Sequence, residues 1–107
     1  MSGMDFNKMM QQVQEMQTQM QQAQEELKNE TVEATAGGGM VKVVATGGGE
    51  IKEITIDPKA IDPDDPEMLA DMVVAAVNEA LRSSQSLMES KIGPALGGLH
   101  GLGLPGL

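Results

Sequence analysis

Residues 31–57 read TVEATAGGGMVKVVATGGGEIKEITID. Val32, Ala34 and Ala36 fall on one side of a period-two alternation, and so do Val41, Val43 and Ala45 against Lys42, Val44 and Thr46. Strict alternation over short runs is the pattern of a strand with one face covered. Between the runs stand Gly37-Gly38-Gly39 and Gly47-Gly48-Gly49. Short glycine loops suit hairpins, because glycine takes the positive φ such turns require. The expected structure is an antiparallel meander of three strands over 31–36, 40–46 and 50–57. Its third strand breaks phase: Ile51 does not alternate with Ile54 and Ile56. Either a bulge re-aims the chain, or both faces of that strand are covered. With two helices in one chain, double coverage is hard to arrange, whereas a second copy supplies it readily.

On the N-terminal side, Phe6, Met9, Val13, Met16, Met20, Ala23 and Leu27 step by threes and fours. A period of 3.5 marks a helix whose narrow seam faces another helix. Gln11, Gln12, Gln14, Gln17, Gln19, Gln21, Gln22 and Gln24 surround the seam, so no broad apolar face is left for a sheet. A helix over 5–29, with Asp5 near its start and Lys28 in its last turn, suits the macrodipole. At 1.5 Å per residue its seam-bearing part runs about 36 Å, more than a small core needs. It is expected to project or to pack on a partner helix.

On the C-terminal side, Asp57-Pro58 ends the third strand, since proline cannot continue a ladder. Asp65 is placed to cap a second helix, with Pro66 at its first position and Glu67 in its first turn. Leu69, Met72, Val73, Ala76, Val77, Ala80, Leu81, Leu87 and Met88 then give a wide apolar stripe to lie on the sheet. Gly93-Pro94 is expected to end this helix near Lys91. One domain over 1–92 and a flexible Gly/Leu-rich tail over 93–107 follow from that reading.

Composition narrows the function. The net charge is −9 in 107 residues, and no third of the chain is net basic, which by itself disfavours phosphate-backbone binding. Phe6 is the sole aromatic, so stacking on single-stranded bases has no platform. There is no cysteine, hence no disulfide, thiol nucleophile or cysteine-held zinc. No run of about 20 apolar residues spans a bilayer and no signal peptide is evident, so the expected location is cytoplasmic. The single histidine, His100, lies in the tail, and no nucleophile and base can be assembled around it. Asp57, Asp62, Asp64 and Asp65 lack the order of a calcium loop and read as caps and turns. The glycine triplets lead into strands, not into a phosphate-loop helix. An enzyme, a metal site, a cofactor and a small-molecule substrate are therefore not expected. Ten methionines supply the adaptable apolar surface common at interfaces.

Gly39-Met40-Val41-Lys42-Val43, Ile54-Thr55-Ile56-Asp57-Pro58, Glu67-Met68-Leu69-Ala70-Asp71-Met72-Val73 and Ala75-Ala76-Val77-Asn78-Glu79-Ala80 occur in this order and spacing. Together with the Met/Gln-rich helix before them, they make residues 5–92 resemble the YbaB/EbfC family of bacterial nucleoid-associated proteins. The resemblance implies an α+β fold, with a long N-terminal helix, a three-stranded antiparallel meander and a C-terminal helix. It further implies a homodimer with a shared sheet and projecting helices, located at the nucleoid, that binds double-stranded DNA without enzymatic activity. On that basis Val41, Val43, Ile51, Ile54 and Ile56 are the expected dimer interface. Lys8, Lys28, Lys42 and Arg82 are the expected phosphate contacts, with helix N-termini and Gln, Asn, Ser or Thr side chains assisting. Modest affinity, a shallow salt dependence and little sequence preference are expected, with effects on nucleoid organisation and gene expression. The rival reading is a protein-interaction module that uses the Met/Gln seam without DNA.

Overall fold

The structure, a computed structural model, describes the backbone of residues 3–100 and the side chains of residues 6–94. Helix α1 spans Gly3–Asn29, strands β1, β2 and β3 span Thr31–Ala36, Val41–Thr46 and Ile51–Ile56, and helix α2 spans Pro66–His100. A short 3-10 turn, Pro58–Ala60, lies between β3 and α2. The strands form one antiparallel sheet in the order β1-β2-β3. The α+β meander expected from the sequence is thus the observed fold. β2 and β3 are each trimmed at their ends relative to the alternation, although Asp57 N–H still donates to the Met40 carbonyl (2.7 Å) and extends the pairing.

Gly37, Gly38 and Gly39 all take positive φ, at 64°, 68° and 94°. At Gly37 the requirement is double, because a Cβ there would also collide with the Met72 sulfur of α2. The first hairpin is thereby fitted to the helix above it.

The phase break in β3 is a bulge. Val44 pairs with Glu53 and Ala45 with Ile51, so Lys52 is the extra residue. Cross-strand partners share a face. The bulge therefore returns Ile51 to the side of Ile54 and Ile56, opposite Ala45, Val43 and Val41 respectively. Of the two alternatives read from the sequence, the structure adopts the bulge.

Helix α2 crosses that same face. Ala76 and Ala80 sit wholly buried on Val41, Val43, Ala45 and Ala34, and Val32, Leu69, Met72, Val73 and Val77 pack around them. Two alanines at the contact let the helix approach the sheet closely, at the cost of a thin core. Farther along, the buried Ser84 Oγ donates to the Thr46 carbonyl (2.6 Å), pinning α2 to the end of β2. Asp65 Oδ1 accepts from Met68 N–H (3.2 Å), which makes it the cap of α2.

The second helix does not stop near Lys91. It continues through Gly93 and Pro94 to His100, so residues 93–100 of the expected tail are helical. Proline removes a hydrogen bond and crowds the preceding turn. Much of its conflict with the residue before it, however, involves that residue's Cβ, which Gly93 lacks. Residues 101–107 of the expected tail lie outside the described residues.

The molecule measures 75 × 26 × 16 Å with a radius of gyration of 20.6 Å, far above the roughly 13 Å of a compact chain of this length. Both helices contribute, α2 with 35 residues and α1 with 27, about 52 and about 40 Å at 1.5 Å per residue. Leu27 is buried and Ala23 nearly so, Met20 and Met16 are half-buried, and Val13, Met9 and Phe6 are 50%, 56% and 60% exposed. The seam meets α2 only over its C-terminal half and continues uncovered beyond it as an arm.

Candidate nucleic-acid interface

The arm leaves the body at a tight joint. Leu27 lies against Gly47, where a Cβ would come within 2.8 Å of both the Leu27 side chain and its carbonyl oxygen. Gly47 N–H donates to the Glu30 carbonyl (2.9 Å), tying the second glycine turn to the end of α1. Lys91 of α2 completes the joint, with its Nζ 2.6 Å from Glu26 and 2.8 Å from Glu30. These carboxylates belong to one helical turn, i and i+4, and so present themselves to one ammonium.

The hydrogen bond to Glu26, with that to Glu30 beside it, raises the Lys91 pKa above its ordinary 10.5. The folded state holds this proton more tightly than the unfolded chain does. The contribution of the bridge is therefore complete below 10.5 and is lost as pH rises through the raised folded value. Lys91→Met keeps most of the aliphatic stem and removes the charge. Melting curves are expected to show the parent's advantage over this variant at neutral pH and its disappearance in strong alkali. A pH-independent difference would mean that the stem, not the charge, holds the joint.

Charge is segregated along the molecule. Between Phe6 and Gln24 the arm carries one cation, Lys8, and one anion, Glu15, among eight glutamines, all exposed. Glu25, Glu26 and Glu30 stand at the joint itself, while six of the sixteen acids, Asp57, Asp62, Asp64, Asp65, Glu67 and Asp71, surround the start of α2 at the other end of the body. Three of them serve the backbone: Asp57 accepts from Lys59 N–H (2.9 Å), Asp62 from Asp64 N–H (2.9 Å) and Asp65 from Met68 N–H. No cluster suited to a metal ion occurs among the described residues. The chain's overall charge is thus a poor guide to its arm.

The four basic residues singled out from the sequence do not converge on one surface. Lys8 is exposed near the arm tip and Lys28 sits in its last turn. Twenty residues of helix separate them by about 30 Å and about 200° of rotation, so they face opposite ways. Lys42 lies on the outer sheet face 3.9 Å from Glu33, and Arg82 Nη2 lies 2.7 Å from Glu79 on the exposed side of α2. Lys8, Lys28, Lys52 and Lys59 form no ion pair among the described residues. The glutamine array is the feature a search for basic residues overlooks. Its signal in the sequence was the near absence of charge over 6–24.

The hydrophobic candidates divide as well. Val41 and Val43, expected at a dimer interface, are fully buried beneath their own α2 and have no surface to offer. Ile51 and Ile54 remain exposed, and Ile56 half-exposed, because α2 lies over β1 and β2 and scarcely reaches β3. Val74 and Leu81 are exposed on α2. From Ala76, they point about 160° and 140° around the helix, on the side away from Ala75 and Met72, which border the β1 hairpin. They therefore face away from the sheet, on the outer side of α2.

A helix on one face of a small antiparallel meander, with a second helix projecting from its end, defines a class of small α+β proteins built around a helical arm. Comparison narrows the class. A profile of the YbaB/EbfC DNA-binding family matches residues 1–99. A nucleoid-associated protein of Desulforamulus reducens is 57% identical over 107 residues, covering 100% of this chain and 99% of the relative. One of Acetivibrio thermocellus is 54% identical over 105 residues, covering 98% and 91%. The crystal structure of an uncharacterized protein from Helicobacter pylori shares the fold with a TM-score of 0.75 at 23% identity, covering 85% of this chain and 96% of that one. The chain belongs to the YbaB/EbfC DNA-binding family. No helix among its described residues is long and apolar enough to cross a membrane.

Proposed function

We propose that this protein is a nucleoid-associated homodimer that holds double-stranded DNA through its arms, at the cytoplasmic nucleoid and with little sequence preference. The observation that carries the reading is the segregation of charge. An arm of low charge density, with Asp5, Lys8 and Glu15 its only charged residues before Glu25 and eight exposed glutamines supplying amide donors, extends from a body that carries the other fourteen acids. Glutamine amides and the α1 N-terminus can donate to phosphate oxygens, and Lys8 can neutralise one. Exposed acids more than a Debye length of about 8 Å from the duplex are largely screened. Amide contacts to phosphates position a protein without reading sequence. Nothing in the arrangement calls for a catalytic step, and effects on gene expression would follow from occupancy of DNA.

The second copy is expected on the open side of β3. β3 is an edge strand with Ile51, Ile54 and Ile56 turned toward the helix side and left largely uncovered. A shared surface there would enlarge a core that is thin in the single chain. Two arms on one base give two weak grips on one duplex, and linkage raises the effective affinity.

Fluorescence anisotropy with a labelled duplex at about 50 and about 200 mM salt tests the DNA reading. Binding is expected at the lower salt, with a log–log slope of only about −2 to −4, set by a few neutralised phosphates. Lys8→Ala should reduce the magnitude of that slope by about 2 per dimer, because each neutralised phosphate contributes about 0.9. No binding to duplex at the lower salt would reject the proposal.

A further inference from the structure

The base and the joint account for Leu27, Ala23, the isoleucines of β3 and the Lys91 bridge. They leave Phe6, Met9 and Val13, an apolar stripe half or more exposed on the outer arm. A solvated arm needs no such stripe, since glutamine and alanine would keep the helix at lower exposed apolar cost. The stripe also continues, without a phase slip, the a/d seam that is already packed on α2 over its C-terminal half. Its spacing is that of a helix partner, not of a sheet or a flat surface.

We propose that the outer arm is a pairing site for the outer arm of a second copy, running antiparallel to it. This goes beyond the dimer and DNA readings above and rests on them only for its consequence. In antiparallel seams a positions face d positions. Phe6 then lies opposite Met16, and Met9 opposite Val13, across the two arms. By symmetry each layer occurs twice, so the overlap is closed on itself.

Charge favours a copy of this chain as the occupant. Two molecules of net charge −9 repel, and most contacts between them would bring acids together. From Phe6 to Gln14 Lys8 is the only charge, and the outer arm's acids are just Asp5 and Glu15 at either end of that stretch. Arm-to-arm contact also holds the acidic ends of the two bodies far apart in a molecule 75 Å long, where screening removes their repulsion. A strongly basic partner helix would find little here to pair with. Gln12 and Met10 flank the seam where charged residues would otherwise select a different partner or orientation.

Four short layers bury much less than the roughly 800 Å² per partner of a stable interface. The contact is therefore weak in dilute solution and strengthens where copies are crowded, as on one stretch of DNA. A symmetric base and a symmetric arm contact together generate an open chain of dimers, a means of bridging duplexes.

Sedimentation of the full chain without DNA tests the pairing across a range of concentrations. The parent should pass from a two-chain to a four-chain or larger species. Met9→Glu with Val13→Glu should require at least about tenfold higher concentration for that step, because unpaired carboxylates would be buried in the seam. These positions are exposed, so circular dichroism should show the fold intact. In an Ile54→Glu background, arm pairing alone should give a two-chain species that the arm substitutions remove, which separates this proposal from the base dimer. The chain has no cysteine, so a mixture of Met9→Cys and Val13→Cys chains should cross-link between arms in oxidant, while Gln11→Cys on the outer face should not. A parent that never exceeds the two-chain mass overturns the proposal and leaves the base dimer standing. Arm substitutions that abolish duplex binding without changing mass also overturn it, by making the stripe a DNA surface.

Discussion

Ile54→Glu should reduce the proposed dimer to a single folded chain. Ile54 pairs with Val43 on the helix side of the sheet, yet it is 44% exposed because α2 does not cover β3. In the isolated chain a glutamate there remains solvated, and the core of Val41, Val43, Ala76 and Ala80 is untouched. In a symmetric interface two carboxylates would have to leave water without partners, at several kcal/mol in all. The association constant should fall by at least about a hundredfold, which is about 2.7 kcal/mol at about 1.4 kcal/mol per decade. Sedimentation equilibrium would show the mass halved at micromolar concentration, with an unchanged helical circular dichroism signal. Duplex affinity should fall with it, since one arm loses the avidity of two. An unchanged mass would place the partner copy elsewhere.

Leu27→Ala should be the most damaging single truncation of the arm. Leu27 is 1% exposed and sits where α1 meets Gly47 and the Leu87 side chain. Truncating a buried leucine costs about 2–5 kcal/mol, with the larger values where surroundings cannot collapse. Collapse is restricted here, because Gly47 is held to the Glu30 carbonyl and the Ser84 hydroxyl fixes α2 to the Thr46 carbonyl beside it. At about 4–8 °C per kcal/mol for a domain of this size, the melting temperature should fall by more than about 10 °C. Val13→Ala, at an exposed position on the same seam, should change it by no more than a few degrees under conditions where arms are unpaired. Equal effects at the two sites would contradict the division of α1 into a docked half and a projecting half.

How far each feature was legible depended on the range of the interaction behind it. The strand β1, the glycine turn at Gly37 and the cap at Asp65 were readable because each depends on neighbours within a few residues. The end of α2 is not legible at Gly93-Pro94: proline costs the helix a hydrogen bond and crowds the turn before it, but a preceding glycine removes the Cβ part of the clash and the helix runs on. For β3 the sequence posed the problem, an isoleucine out of phase, but not the solution. Ejecting Lys52 as a bulge depends on which residues of β2 lie opposite. Among the basic residues, the Arg82–Glu79 pair is an i,i+3 contact visible on a helical wheel. The Lys91–Glu26 pair joins residues 65 apart, and no local pattern announces it.

The sequence by itself determined the elements, their order, the family and the existence of a narrow helical seam, because periodicity and turn chemistry act over one or two turns of chain. Only the tertiary structure decided which halves of those elements are used up. Packing α2 on β1 and β2 buries Val41 and Val43 and leaves the isoleucines of β3 open. Ending the α1–α2 contact partway along the seam leaves Phe6, Met9 and Val13 uncovered. An apolar residue has the same pattern in the sequence whether it faces its own chain or another copy. The difference lies in where a neighbouring element happens to stop.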